Sequence, residues 1–239
     1  MLVPDTEPVL RIDRITKGYH GLRPLRLASL VLPAGERVSI SGMDAPAAEL
    51  MVSLITGAAV PDEGDVWTFG RRTTDIADAD EWLAWLDQFG IVSERGVLLE
   101  AATLLQNLAM PFTLAIDPVP ADVQRRVEDL ARECGLRANL LSAAVGELRP
   151  DVRLRAHLAR AVALSPKLLL LEHPTARATE TEKSAFAGDI ARVCEARQLA
   201  ALALTNDEPF ARAVAPRNLR LEGATGELQP LKKRWLGLL

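Results

Sequence analysis

A strand-like run, Arg37-Val38-Ser39-Ile40-Ser41, ends at Gly42, and the helix-forming stretch Ala47 to Thr56 follows and stops at Gly57. Strand, glycine and helix in that order is where a loop can cradle phosphate. In the pattern G-x-x-x-x-G-K-[ST] the loop amides hold the anion, the lysine reaches the outer phosphates and the hydroxyl meets Mg2+. Here the segment reads Gly42-Met43-Asp44-Ala45-Pro46-Ala47-Ala48-Glu49. Only the first glycine is present. Counted from it, Ala48 stands at the lysine place and Glu49 at the hydroxyl place. Pro46 has no N–H to donate, and Asp44 and Glu49 place negative charge where a polyanion would lie. Taken alone, these residues do not make a phosphate loop. Other groups able to do chemistry are the carboxylates Glu94 and Glu172, with His173 directly after an apolar run. Glu94 and Glu172 would hold a metal only if the fold brings them together.

These groups sit in a regular succession of elements. Leu10 to Ile15 alternates like a strand, and a second apolar stretch, Leu25 to Leu32, ends at the turn Pro33-Ala34-Gly35-Glu36. Pro61-Asp62-Glu63-Gly64 is a turn before a short strand, Asp65 to Phe69. From about 78 to 150 the spacing becomes helical, at Asp80 to Phe89, Leu104 to Leu108, Ala121 to Cys134 and Ala138 to Ala144. Arg153 to Ala163 predicts a helix, Leu168 to Leu171 a buried strand, Glu180 to Arg197 a helix and Leu199 to Thr205 another buried strand. Strands alternating with helices predict an α/β parallel sheet with a helical insertion.

The composition narrows the function classes. The chain has 239 residues, 49% hydrophobic and 25% charged, with a formal net charge of −4. That is enough apolar surface to form a core and too little positive charge for nucleic-acid binding by bulk electrostatics. Cys134 and Cys194 are too few for a disulfide framework and read as small core residues. No apolar run is long enough to span a membrane, and the opening MLVPDTEPVL does not have the pattern of a secretory signal. The expectation is a cytoplasmic protein whose membrane role comes through partners.

Several further segments resemble the nucleotide-binding subunit of ABC transporters, in that family's order and over nearly the full length. Lys17-Gly18-Tyr19 resembles the segment whose aromatic stacks on adenine. Ala34-Gly35-Glu36 is similar to the Gly-Glu before the phosphate-loop strand. Leu54-Ile55-Thr56-Gly57 with Pro61-Asp62-Glu63-Gly64-Asp65-Val66 resembles "LLxGLxxPDSGxV", and Ala102 to Leu108 resembles "TVxENL". Leu158-Ala159-Arg160-Ala161 followed by Leu168 to Ala176 resembles "LARAL…LLLLDEPTS". The resemblance implies a P-loop NTPase (RecA-like) α/β fold, ABC ATPase-like. It implies a parallel-sheet core, a small antiparallel β region around 8–33 with 65–75, and a helical subdomain. The expected layout is one domain over 1–239, with the core at about 1–77 and 151–239 and the helical subdomain at about 78–150.

Position by position, the resemblance implies that the chemical residues differ while the framework is kept. Ala48 holds the lysine position and Glu49 the next. Tyr19 and Gly42 remain as nucleotide-site residues. The glutamine-loop position is Glu94. The signature segment "LSGGQ" falls on Leu148-Arg149-Pro150-Asp151-Val152. The family's metal-binding aspartate is Glu172, its catalytic glutamate His173, its D-loop aspartate Thr179, and its switch histidine Asn206. The plainer readings are a packed surface aromatic for Tyr19, a neutral side chain at a strand end for His173, and ordinary surface or groove residues for His20 and His157. Arg149, Arg153, Arg155 and Arg160 read as a solvated helix face.

The function expected is a transporter subunit that is catalytically degenerate. It acts as scaffold or regulator, docking an integral membrane permease and a second nucleotide-binding subunit. It is held at the cytoplasmic face of the inner membrane by those partners, without nucleic acid or insertion of its own. ATP and Mg2+ are implied as cofactors, with binding expected to be weak or absent. Two alternatives stand beside it: a working ATPase with rearranged residues, and a soluble pseudo-ATPase unrelated to transport.

Overall fold

In the computed structural model, Leu168-Leu169-Leu170-Leu171-Glu172 is a wholly buried strand between two parallel neighbours. The description covers residues 7–231 apart from 22, 94 and 177. In chain order the elements are β1 (Leu10–Lys17), β2 (Leu25–Leu32), β3 (Arg37–Ser41), α1 (Ala45–Thr56), β4 (Glu63–Thr68), β5 (Arg71–Arg72), α2 (Ala79–Leu86) and β6 (Phe89–Ser93). They continue with α3 (Leu104–Ala109), α4 (Ala121–Glu133), α5 (Pro150–Val162), β7 (Leu168–Glu172), α6 (Glu180–Arg197), β8 (Ala200–Leu204), α7 (Glu208–Val214), β9 (Arg217–Glu222) and β10 (Glu227–Pro230).

One sheet runs β10-β9-β3-β8-β7-β6, parallel except for the β10–β9 hairpin. The other is antiparallel, β2-β1-β4-β5. Side chains alternate across a strand, so β7 serves two cores. Leu168 and Leu170 pack with α1 and the antiparallel sheet, while Leu169 and Leu171 pack with the helical elements and α6. Burial on both faces is why this strand reads as an unbroken apolar run. In β1 and β2, by contrast, polar residues alternate with buried Leu10, Ile12, Leu25, Leu27, Leu30 and Leu32. Gly64, the second residue of β4, stands at a bulge in the β1–β4 ladder. A Cβ there would lie 2.3 Å from the Arg14 carbonyl oxygen, which requires glycine.

The parallel sheet, the antiparallel region and the helical elements agree with the sequence reading, and two local differences have clear causes. Phe89–Ser93 is an edge strand and not part of the helical stretch. The helix before it stops at Leu86, and residues 89–93 pair with β7 in parallel. Ala138 to Ala144 is not a continuous helix but short 3-10 turns at Ala138–Leu140 and Val145–Glu147. The carbonyls of Leu141 and Ala143 there accept the N–H groups of Leu105 and Leu104 at 2.9 Å, so α3 takes the acceptors a helix would use. After β8 the chain adds α7, β9 and β10, which complete the other side of the sheet.

Candidate functional site

The turn out of β3 is built by Gly42, whose φ is +94° and whose missing Cβ would stand 2.6 Å from the Leu221 carbonyl oxygen. Only glycine tolerates both conditions. Asp44 then caps α1: its Oδ1 accepts the Ala47 N–H at 2.9 Å and its carbonyl accepts the Ala48 N–H at 3.0 Å. The positive end of α1 therefore already faces a carboxylate of the chain itself. Ala48, counted into the lysine place from Gly42, is 0% exposed, its methyl inside the core. The side chain of α1 that reaches the charged cluster is Glu49, next after Ala48.

Asn206, just past β8, closes the same turn. Its Oδ1 accepts the Gly42 N–H at 2.7 Å, and its Nδ2 donates to the Met43 carbonyl at 2.7 Å. Next to it, Asp207 caps α7 through the Phe210 N–H at 3.1 Å and pairs with Lys183 Nζ at 2.8 Å. That carboxylate and Glu180 push the Lys183 ammonium up to about 12.

The centre of the cluster is a residue that sequence reasoning missed. Arg95, in the turn after β6, presents a fork to Glu172, with Nε to Oε1 at 3.1 Å and Nη2 to Oε2 at 2.6 Å. Its Nη1 donates to Glu49 Oε1 at 2.6 Å. The Glu172 side chain is only 7% exposed, so the fork neutralises a carboxylate that burial would otherwise penalise. Pairing with Glu172 raises the guanidinium pKa further. Ser93 Oγ accepts the Arg95 N–H at 3.0 Å and fixes the turn. A signal was present in the sequence, an arginine beside the glutamine-loop position, but nothing local names its partners. Glu94 lies outside the described residues.

His173 follows β7 with φ +41°. Its N–H donates to the Leu204 carbonyl at 2.9 Å, and its Nε2 is buried without a hydrogen-bond partner among the described residues. Thr179 is the cap of α6, in a reciprocal capping box with Glu182. Tyr19 is half-buried and lines a cleft of about 210 Å3 with Gly42, Met43, Asp44 and Ala47. Burial and then the Asp44 carboxylate push its hydroxyl up. Asp62 sets the strand entering this loop, accepting Lys17 Nζ at 2.7 Å and the Gly18 N–H at 2.8 Å.

Leu148 to Val152 runs into α5, with Arg149 as its cap residue and Pro150 as its first residue. Arg149 is 81% exposed and donates to Asp151 at 3.0 Å. Burial alone would raise the Asp151 carboxyl, but Arg149 and Arg155 more than offset it and hold it low. The arginines of α5 do not form a solvated face. Arg155 is partly buried on Asp189 at 2.7 Å, Arg153 reaches Glu100 at 2.8 Å, and Arg160 donates to the Val97 carbonyl. Arg153 and Arg160 moor the segment 97–100, and Arg155 ties α5 to α6. Between this segment and α5 lies a groove of about 590 Å3, lined by Ser93, Val97, Leu98, Pro150, Leu154 and His157. Val97 is 70% exposed at its rim. Burial, then Arg160 and Arg153, lowers the His157 pKa. Asn107, wholly buried, fixes the chain next to Leu98 by bonding both the N–H and the carbonyl of Leu99, at 2.8 and 3.0 Å.

The structure thus gathers Glu49 and Glu172 on Arg95, while Asn206 closes the Gly42 turn and Tyr19 lines the cleft beside that turn. Residues 148–152 stand apart at the groove. Among the described residues, no helix is long and apolar enough to cross a membrane.

Comparison with known proteins gives a consistent picture. A family model described as ABC transporter matches residues 25–176. The lipoprotein-releasing system ATP-binding protein LolD of Psychrobacter arcticus is 27% identical over 223 residues, 92% of this chain and 98% of the relative. LolD of Acinetobacter baylyi is 29% identical over 201 residues, 83% of this chain and 86% of the relative. The dimeric, post-hydrolysis ATP-binding cassette MJ0796 bound to ADP and Pi shares the fold with a TM-score of 0.72 at 23% identity, over 93% of this chain and 99% of that one. So does cbiO1 of Clostridium perfringens, with a TM-score of 0.77 at 16% identity, over 93% and 87%.

Proposed function

The chain belongs to the ABC transporter family, and from that premise we propose that it serves a transporter complex by docking, without hydrolysing ATP. The observation that carries this reading is the internal use of the site. Both oxygens of Glu172 face Arg95, the Asp44 carboxylate caps α1, and Asn206 takes the Gly42 N–H. A triphosphate needs free donors and a metal needs free carboxylate oxygens. Mg-ATP therefore does not fit the residues as they stand. The substitutions at Ala48, Glu49, His173 and Asn206 belong to the same reading, as does the signature-like run Leu148 to Val152.

The docking surface is the groove beside 97–100, and its partner is an integral membrane permease. A second nucleotide-binding subunit, identical or different, completes the assembly. The whole chain, 1–239, acts as one ABC ATPase-like domain held at the cytoplasmic membrane face by those partners. The LolD relatives carry lipoprotein release in their name, and membrane-complex work of that kind agrees with this role.

Calorimetry with Mg-ATP tests the nucleotide half. The expected apparent constant is no tighter than about a millimolar, because few donors remain for a triphosphate. Micromolar binding would overturn the reading. Co-purification with an integral membrane permease of the same cell tests the docking half. Val97→Asp, at the exposed rim, is expected to weaken capture.

A further inference from the structure

One guanidinium joins three elements that are far apart in sequence. Arg95 lies after β6, Glu172 ends β7, and Glu49 is the fifth residue of α1. Arginine stays charged at every pH at which the protein is folded, and its planar fork matches a carboxylate in two places at once. Glu172 is nearly buried, so leaving it without a cation would be strongly unfavourable. The Ser93 hydroxyl, accepting the Arg95 N–H, orients the backbone that carries the fork.

The geometry points to Arg95 as the resident cation of this site. It occupies the Glu172 carboxylate in place of a free divalent ion and pins the turn from Arg95 to Val97, presetting the docking groove without any ligand. This deepens the ligand-free reading of the same site and rests on it. The groove consequence follows from position. Ser93, Gly96 and Val97 line the groove, and Arg95, between Ser93 and Gly96 in the chain, has its side chain anchored on β7 and α1. A groove tied in this way keeps one shape whether or not nucleotide is present.

The test uses the full chain with no nucleotide added. Amide exchange across 95–99 is compared in the parent, Arg95→Gln and Glu49→Gln, and Mn2+ binding is followed by electron paramagnetic resonance. Arg95→Gln is expected to speed exchange about tenfold, and Glu49→Gln, which removes one leg, about threefold. Arg95→Gln is also expected to gain a saturable Mn2+ site that Arg95→Gln/Glu172→Gln lacks, while the parent shows none. Glu49→Gln changes a half-exposed side chain, whereas Arg95→Gln leaves the nearly buried Glu172 without its cation and lowers the stability. Far-UV circular dichroism checks that each variant is folded, and Arg95→Gln/Glu172→Gln, which removes both charges, carries the exchange comparison if the single variant unfolds. Unchanged exchange in both, Mn2+ binding by the parent that depends on Glu172, or no gain of Mn2+ binding in Arg95→Gln would each overturn the inference. Micromolar ATP binding by the parent would instead sink the docking-only function, and the exchange data would still judge the latch.

Discussion

Asn206 and Gly42 hold each other across the end of the parallel sheet: the Gly42 N–H donates to Asn206 Oδ1 at 2.7 Å. The other end of the same amide reaches the Met43 carbonyl. Only a side chain with a donor and an acceptor on one planar head makes both bonds. Asn206→Ala is expected to destabilise the chain by about 1–3 kcal/mol, because two backbone groups lose their partners. Asn206→Asp keeps the acceptor but loses the donor, and should fall between the two. Urea midpoints at constant slope measure this.

Converting the site toward the family pattern is expected to fail. In Ala48→Lys/Glu49→Ser/His173→Glu, the new lysine replaces a methyl that has no exposure at all. Burying it costs about 3 kcal/mol or more, and Glu49→Ser frees Arg95 from one partner. A lowered Tm and no phosphate release above the parent at saturating Mg-ATP are expected. Clear, saturable turnover would show that the backbone is competent after all.

His157 gives the groove a pH dependence whose sign is set by burial. Its folded pKa lies below the ordinary value, with Arg160 and Arg153 adding to the effect. Between that lowered value and about 6.5 the unfolded chain binds the extra proton, so stability falls as the pH drops through this window. His157→Gln should flatten that part of the profile. Thermal midpoints at a series of pH values, parent against variant, read it out, and parallel profiles would refute it.

Cys134 and Cys194 are buried and free. Burial pushes each thiol up to about 12. Neither is therefore a thiolate near neutral pH, and neither is accessible. Alkylation of the folded chain is expected to be about a hundredfold or more slower than that of the unfolded chain. Rapid labelling of either cysteine in the native state would contradict the buried placement.

The elements legible from sequence were those whose signals are local. Leu168–Leu171 announces a two-faced buried strand through its unbroken run, and α6 spans Glu180–Arg197 as its periodicity and Thr179 capping box dictate. The antiparallel strands follow from their alternation. Phe89–Ser93 was harder, because five residues beside a helix carry no period of their own and become a strand by pairing with β7. The site itself lay beyond local reading. Counting from Gly42 put Ala48 at the lysine place, yet the helix turns that methyl into the core and presents Glu49 instead. Arg95 finds Glu172 77 positions away, and Gly42 finds Asn206 164 positions away. Spacing along the chain sets which face of an element a side chain takes. Which carboxylate a guanidinium meets is set by the order of strands in the sheet, and that order is decided only when both cores are packed.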